Sequence, residues 1–215
     1  MADRITRQDM FRLENGAKAP LPFSEQEYAR RLESLRSIMS RHGLPAVVLT
    51  SMHNIAYYSG FLYCSFGRPF GCVVTHDACT TISANIDGGQ PWRRSVGDNV
   101  IYTDWRRDNF WRAVGELVGA SGRLGIEADH MTLAARTALD TTLGPRELID
   151  VAPDTMAARM VKSAEEIALI REGARIADVG GEAVRDAIRP QAREIDIAMA
   201  WRDAMELEIA AAFPD

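Results

Sequence analysis

The run from Ala46 to Thr50, AVVLT, most constrains what this chain can build. It is almost wholly apolar and has no polar face, so it reads as a short strand buried on both sides. A strand of that kind needs a layer above and a layer below its sheet, which is the demand an α/β architecture meets. The residues just before it provide one such layer. Ser24 followed by Glu27 is a capping-box pattern, with the Glu27 side chain expected to reach back to the Ser24 amide. Tyr28, Leu32, Leu35, Ile38 and Met39 then recur on one face of a helix. Gly43 ends that helix and Pro45 forbids its continuation.

The pattern continues. Met52 to Gly60 forms a short helix with Ile55 and Tyr58 turned inward. Gly71 to Thr75 and Thr80 to Ala84 are strand-like, and His76-Asp77 lies in the polar turn of the hairpin they form. Val100 to Thr103 is a further strand. Asn109 to Val118 is helical, with Phe110, Trp111, Val114 and Leu117 along one side. Arg123 to Glu127 is a strand, Thr132 caps a helix reaching Leu143, and Leu148 to Val151 is the last strand. The first 150 residues therefore alternate helices with five or six strands, giving a mixed sheet flanked by helices in three layers, with parallel and hairpin pairing.

Residues 1–22 read as an arm, because Asn15-Gly16, Pro20 and Pro22 interrupt any periodicity. Whether it is disordered or lies over a partner subunit is left open by the residues. A boundary is expected near Ala152 to Ser163. Ser163 and Glu166 make a second capping box, and Ile167, Ile170, Ala174, Ala177, Gly181, Val184 and Ile188 follow at steps of three and four. Glycines 180 and 181 each cost on the order of 1 kcal/mol against alanine, so close packing is the expected reason for them. Arg189-Pro190 breaks this helix, and Glu194 to Ala212 forms another. Two apolar helix faces with no strand after them read as the opening of a second domain, 161–215, whose body is missing. The domain between is 23–160.

Composition excludes several classes. The chain has 215 residues and a formal net charge of −5. The paired arginines at 93–94 and 106–107 have acidic neighbours, so no nucleic-acid footprint is expected. The start, MADRITRQDMFRLENG, holds no apolar run, and nothing approaches membrane-spanning length. Cys64, Cys72 and Cys79 form no paired framework, which suits reduced thiols in the cytoplasm. His42, His53, His76 and His130 are scattered, without a second ligand at metal-binding spacing. Ser51 and Ser65 lack a nucleophile elbow. Gly88-Gly89 has no phosphate-loop pattern, and Pro91 favours a turn there over a helix.

One stretch stands apart. Between Phe61 and Asn109, Phe61, Tyr63 and Phe66 crowd beside Arg68, and Trp92 stands beside Arg93 and Arg94. Aromatic faces next to guanidinium forks are the composition of a recognition surface. Core rings with solvated arginines would read the same way, and the residues leave both open. Arg68 is the best candidate on physical grounds, since its planar fork can take a carboxylate in a bidentate pair, with Phe66 lining the same pocket. Cys64 would need activation by a neighbouring cation, for which Arg68 is the nearest.

The wording of this stretch adds more. YCSFGRP (63–69), SANIDGGQPWRR (83–94) and YTDW-R-DN (102–109) resemble the creatinase family of the pita-bread, methionine aminopeptidase-like superfamily. The likeness runs from about Phe23 to the end, and the helix KSAEEIALIREGARIADVGGEAV resembles the first helix of the pita-bread domain. The resemblance implies a homodimer of two-domain subunits that hydrolyses creatine to sarcosine and urea without a metal or other cofactor. It implies that Phe66 and Arg68 enter the neighbouring subunit's site, where the arginine binds the creatine carboxylate. It also places the catalytic histidine and the glutamates that hold the guanidinium group beyond Asp215, so no catalytic residue and no metal ligand is expected within 1–215. These residues alone are expected to be inactive. Two alternatives remain: a non-enzymatic truncated module that pairs with a full-length subunit, and the N-terminal domain of a metallohydrolase like prolidase or aminopeptidase P.

Overall fold

The computed structural model describes residues 8–62, 67–120 and 122–214. Two compact units divide the chain, Met1–Val161 and Lys162–Asp215. In the first unit the elements run β1 (Met10–Phe11), α1 (Glu25–His42), β2 (Ala46–Leu49), α2 (Met52–Ser59), β3 (Gly71–Thr75) and β4 (Cys79–Ala84). A 3-10 turn at Asn85–Asp87 and a single helical turn, α3 (Gln90–Arg93), lead to β5 (Asp98–Tyr102). Then come α4 (Asn109–Val118), β6 (Arg123–Ile126), α5 (Leu133–Leu143), β7 (Glu147–Asp150) and α6 (Ala152–Met160).

The strands form one mixed sheet in the order β1-β5-β4-β3-β2-β6-β7. β3 pairs antiparallel with both β2 and β4, and β1 pairs antiparallel with β5. The pairs β4–β5, β2–β6 and β6–β7 are parallel. β2 is the strand its composition demanded, and its alternate residues feed two separate cores. Val47 and Leu49 pack with Leu35, Met39 and Tyr58 of α1 and α2. Ala46 and Val48 pack with Phe110, Val114 and Leu139 of α4 and α5. Each of the Val, Leu, Met and Phe side chains among them, fully removed from water, contributes about 1.5–3 kcal/mol.

The structure corrects several expectations. Ser24 does cap α1, its hydroxyl accepting from the Glu27 amide at 3.1 Å. The Glu27 carboxylate, however, takes a bidentate pair from Arg30 and a further bond from Arg31 Nε at 2.8 Å. Arg31 is itself buried, with its guanidinium between the rings of Phe23 and Tyr57, and it donates to the Tyr57 carbonyl. The hydrogen bond from Arg30, followed by those from Arg31, holds the Glu27 carboxyl down to about 2 against the opposing effect of its burial.

Pro91 does not prevent a helix. It sits in the first turn of α3, where a missing N–H costs nothing. The stretch expected to hold a boundary, Ala152 to Ser163, begins with α6, again with a proline in its first turn, Pro153, and the division between the two units follows it at Val161. The arm is not loose over residues 8–22. Met10 and Phe11 extend the sheet as β1, in register with Tyr102 and Ile101. Cys72 and Cys79 are buried free thiols on neighbouring strands, their sulfurs 3.5 Å apart.

The second unit consists of α7 (Ala164–Ala187) and α8 (Glu194–Ala212) packed together. Ser163 and Glu166 complete the expected capping box reciprocally, at 3.2 and 2.9 Å. Gly180 is where the helices touch: a Cβ there would lie 2.7 Å from Met205 and 2.8 Å from Trp201. Gly181 faces open space, so close approach explains only the first of the pair.

Candidate functional site

Arg68 stands on the connection between α2 and β3, and it is exposed. Gly67 before it adopts φ +63°, a conformation that suits glycine, and Pro69 after it restricts the backbone further. Downstream the chain is firmly seated. Phe70 is buried against Phe61 with ring centroids 5.1 Å apart, and Gly71 lies so close to the Phe110 ring that a Cβ would meet it at 2.9 Å. The Tyr102 hydroxyl, at the end of β5, donates to the Pro69 carbonyl at 2.8 Å. Two residues further on, Asp104 accepts an ion pair from Arg68 Nη1. The end of β5 thus ties down the residues on both sides of Pro69.

Phe66, the expected companion of Arg68, lies outside the described residues, as does Cys64. The sequence marked Arg68 but not Asp104, which it gave only as one of several acids near the arginines. A groove of about 550 Å³ runs past Arg68, Asp104 and Trp105, and a more apolar cleft of about 420 Å³ lies beside Arg68, Phe70, Phe110 and Trp111. A larger hollow, about 950 Å³, opens between the arm and α1 near Lys18 and Tyr28, away from Arg68.

Trp92 and Arg93 have a different task from the one their composition suggested. The Trp92 indole donates to the Gly16 carbonyl at 3.1 Å, and Arg93 Nε donates to the Ala17 carbonyl at 3.3 Å. Lys18 donates to the carbonyls of Trp92, Ser95 and Gly97. This cluster fastens the arm to its own domain.

Three of the histidines make structural contacts. His42 pairs with Asp154 at 2.8 Å, His76 meets the Leu44 carbonyl, and His130 meets the Thr50 hydroxyl. Among the described residues no group of three or more His, Cys, Asp or Glu side chains could hold a metal ion. Sequence reasoning also missed Glu127, whose buried carboxylate accepts from the amides of Thr50 and Ser51, the Ser51 hydroxyl and the Asn54 side chain. It serves as an anionic cap on the N-terminus of α2, where helix N–H groups lack partners. The sequence hint was an acid ending one strand and a Ser-x-x-Asn motif following another.

The site offers an exposed guanidinium paired with Asp104, displayed on an α/β domain with helices on both faces of a mixed sheet. This chain belongs to the creatinase/prolidase family, whose N-terminal domain model matches residues 31–161. It is 50% identical over 207 residues to a creatinase of Bacillus sp. (strain B-0618), covering 94% of this chain and 50% of that protein. A prolidase from Pyrococcus horikoshii OT3 superposes with a TM-score of 0.67 at 20% identity, over 83% of this chain and 48% of that one. The creatinase/prolidase N-terminal domain of an X-Pro dipeptidase from Streptococcus pyogenes superposes with a TM-score of 0.53 at 16% identity, over 60% of this chain and 98% of that one. These two structural likenesses speak for the fold alone. The chain spans about half the length of the curated relatives it matches. Among the described residues no helix is long and apolar enough to cross a membrane.

Proposed function

We propose that this chain is the N-terminal part of a creatinase, which adds water to creatine and releases sarcosine and urea. The observation that carries this reading is the 50% identity to a creatinase over nearly the whole chain. In this reading residues 1–22 are an arm, 23–160 the N-terminal domain, and 161–215 the first helices of a catalytic domain that supplies the base and the guanidinium-binding carboxylates. Arg68 takes the creatine carboxylate, Phe66 lines the same pocket, and both act across the boundary of a homodimer. Support for Arg68 comes from its exposure, its anchored backbone and the charge it offers to a carboxylate.

The test is urea release from creatine by the full-length gene product. Arg68→Ala is expected to raise KM roughly ten- to a hundredfold, the equivalent of about 1.5–3 kcal/mol for a charge-assisted hydrogen bond. An unchanged KM would remove Arg68 from substrate binding. Activity that a chelator abolishes would transfer the protein to the metal-dependent hydrolases of the same fold.

A further inference from the structure

We infer that Asp104 is a positioning residue for Arg68: it holds the guanidinium at Nη1 and so keeps the Nε/Nη2 edge turned outward to receive a substrate carboxylate side-on. This deepens the reading of Arg68 as the carboxylate clamp and rests on it.

The argument begins with the shape of the guanidinium. Nε and Nη2 form one edge with two parallel N–H bonds, and Nη1 is on the other side. A carboxylate bound bidentately side-on uses the first edge. This molecule does so repeatedly. Arg30 grips Glu27 through Nε and Nη2 at 2.9 and 2.7 Å, and Arg193 grips Asp196 the same way at 2.8 and 2.7 Å. Arg175 takes a second step. Its Nε and Nη2 hold Glu172 while its Nη1 holds Glu208 at 2.6 Å. One guanidinium thus carries two carboxylates, one on each side, at a solvent-exposed position.

Arg68 is half of that arrangement. Asp104 occupies Nη1, as Glu208 does on Arg175, and among the described residues none takes the edge that Glu172 fills on Arg175. The Arg68 and Asp104 side chains are 45% and 48% exposed, so an incoming ligand can reach the pair. Asp104 is well placed to aim it. It follows Tyr102 by two residues, and the Tyr102 bond to the Pro69 carbonyl fixes the backbone just after Arg68. Of the other charges along the groove, Arg106 is paired with Asp9 at 3.1 Å, while Arg107 and Asp108 line it further along the chain from the Tyr102 anchor. An unheld arginine would sample many rotamers, and binding would have to overcome that freedom. The opposing effect is repulsion between Asp104 and the incoming carboxylate. At an exposed site, solvent and salt screening keep it small.

The experiment uses the full-length enzyme with creatine as substrate and sarcosine as a carboxylate-bearing inhibitor. Asp104→Ala is expected to raise KM about five- to twentyfold and to weaken sarcosine inhibition in parallel, with kcat changed less than twofold. Asp104→Asn keeps an acceptor oxygen and is expected to restore part of the loss. In an Arg68→Ala background, Asp104→Ala is expected to add nothing. A lower KM in Asp104→Ala would show that Asp104 merely competes with substrate and would overturn the inference. So would an unchanged KM alongside a raised one in Arg68→Ala. If Arg68→Ala itself leaves KM unchanged, the clamp reading fails and the inference falls with it. A loss of kcat with unchanged KM and sarcosine inhibition would mark a structural effect and equally reject positioning.

Discussion

The Lys18 ammonium lies 3.7 Å from the centroid of the Trp92 ring while donating to the Trp92 carbonyl at 2.8 Å. One residue thus binds both the face and the backbone of the other, 74 positions away in sequence. The contact closes the arm over the 90–97 segment, where Ala19 also donates its amide to the Arg93 carbonyl at 2.7 Å. Partial burial lowers the pKa of Lys18, a sign that the ammonium is drawn out of bulk water toward these carbonyls.

Lys18→Ala is therefore expected to release the arm with only a modest loss of global stability, about 1–2 kcal/mol for an exposed charge-assisted cluster. Limited proteolysis is the direct measurement. Cleavage at Arg12 should accelerate strongly in the variant, whereas cleavage within α1 should not.

Glu127→Ala should be far more damaging. It leaves the buried Asn54 side chain and the amides of Thr50 and Ser51 without their shared acceptor. A loss of about 3–5 kcal/mol is expected for breaking a buried charged network by removing one member. Urea unfolding should show a lower midpoint, and Glu127→Gln should fall between the variant and the parent because one acceptor oxygen remains.

Stability should depend on acid through Glu27. Its carboxyl titrates near 2 in the folded chain against an ordinary 4.5, so the unfolded chain binds the proton more tightly. The stabilisation is fully present above about 4.5 and is lost as pH falls toward 2, amounting to on the order of 2–3 kcal/mol. Urea midpoints measured from pH 6 down to pH 2 should fall less steeply in Glu27→Gln than in the parent.

The two glycines of α7 should respond oppositely to the same substitution. Gly181→Ala meets open space and should stabilise the helix by about 0.5–1 kcal/mol. Gly180→Ala would press a methyl group into Met205 and Trp201 and should lower stability by about 1–3 kcal/mol. Thermal unfolding of the paired variants checks the difference in sign.

Much of the fold was legible because its signals are local. Thr132 caps α5 through its hydroxyl, Gly43 ends α1 in a left-handed conformation, and His76-Asp77 turns the β3–β4 hairpin. Each works through neighbours a few residues away, so the pattern can be read without knowing the fold. The misses follow the same logic in reverse. β1 is two residues long and exists only because β5 offers it an edge, and Pro91, read as favouring a turn, sits in the first turn of α3, where its missing N–H costs nothing.

The amino-acid sequence by itself determined the kinds of layers, the capped helices and the doubly buried β2. Tertiary structure alone decided the strand order, the use of Trp92 and Arg93 to hold the arm, the burial of Glu127 beneath α2 and the pairing of Arg68 with Asp104. The physical reason is range. Caps and periodicity act over three or four residues, whereas these contacts join segments that only the assembled sheet brings within hydrogen-bond distance, and a side chain's partner there depends on the packing of every layer between.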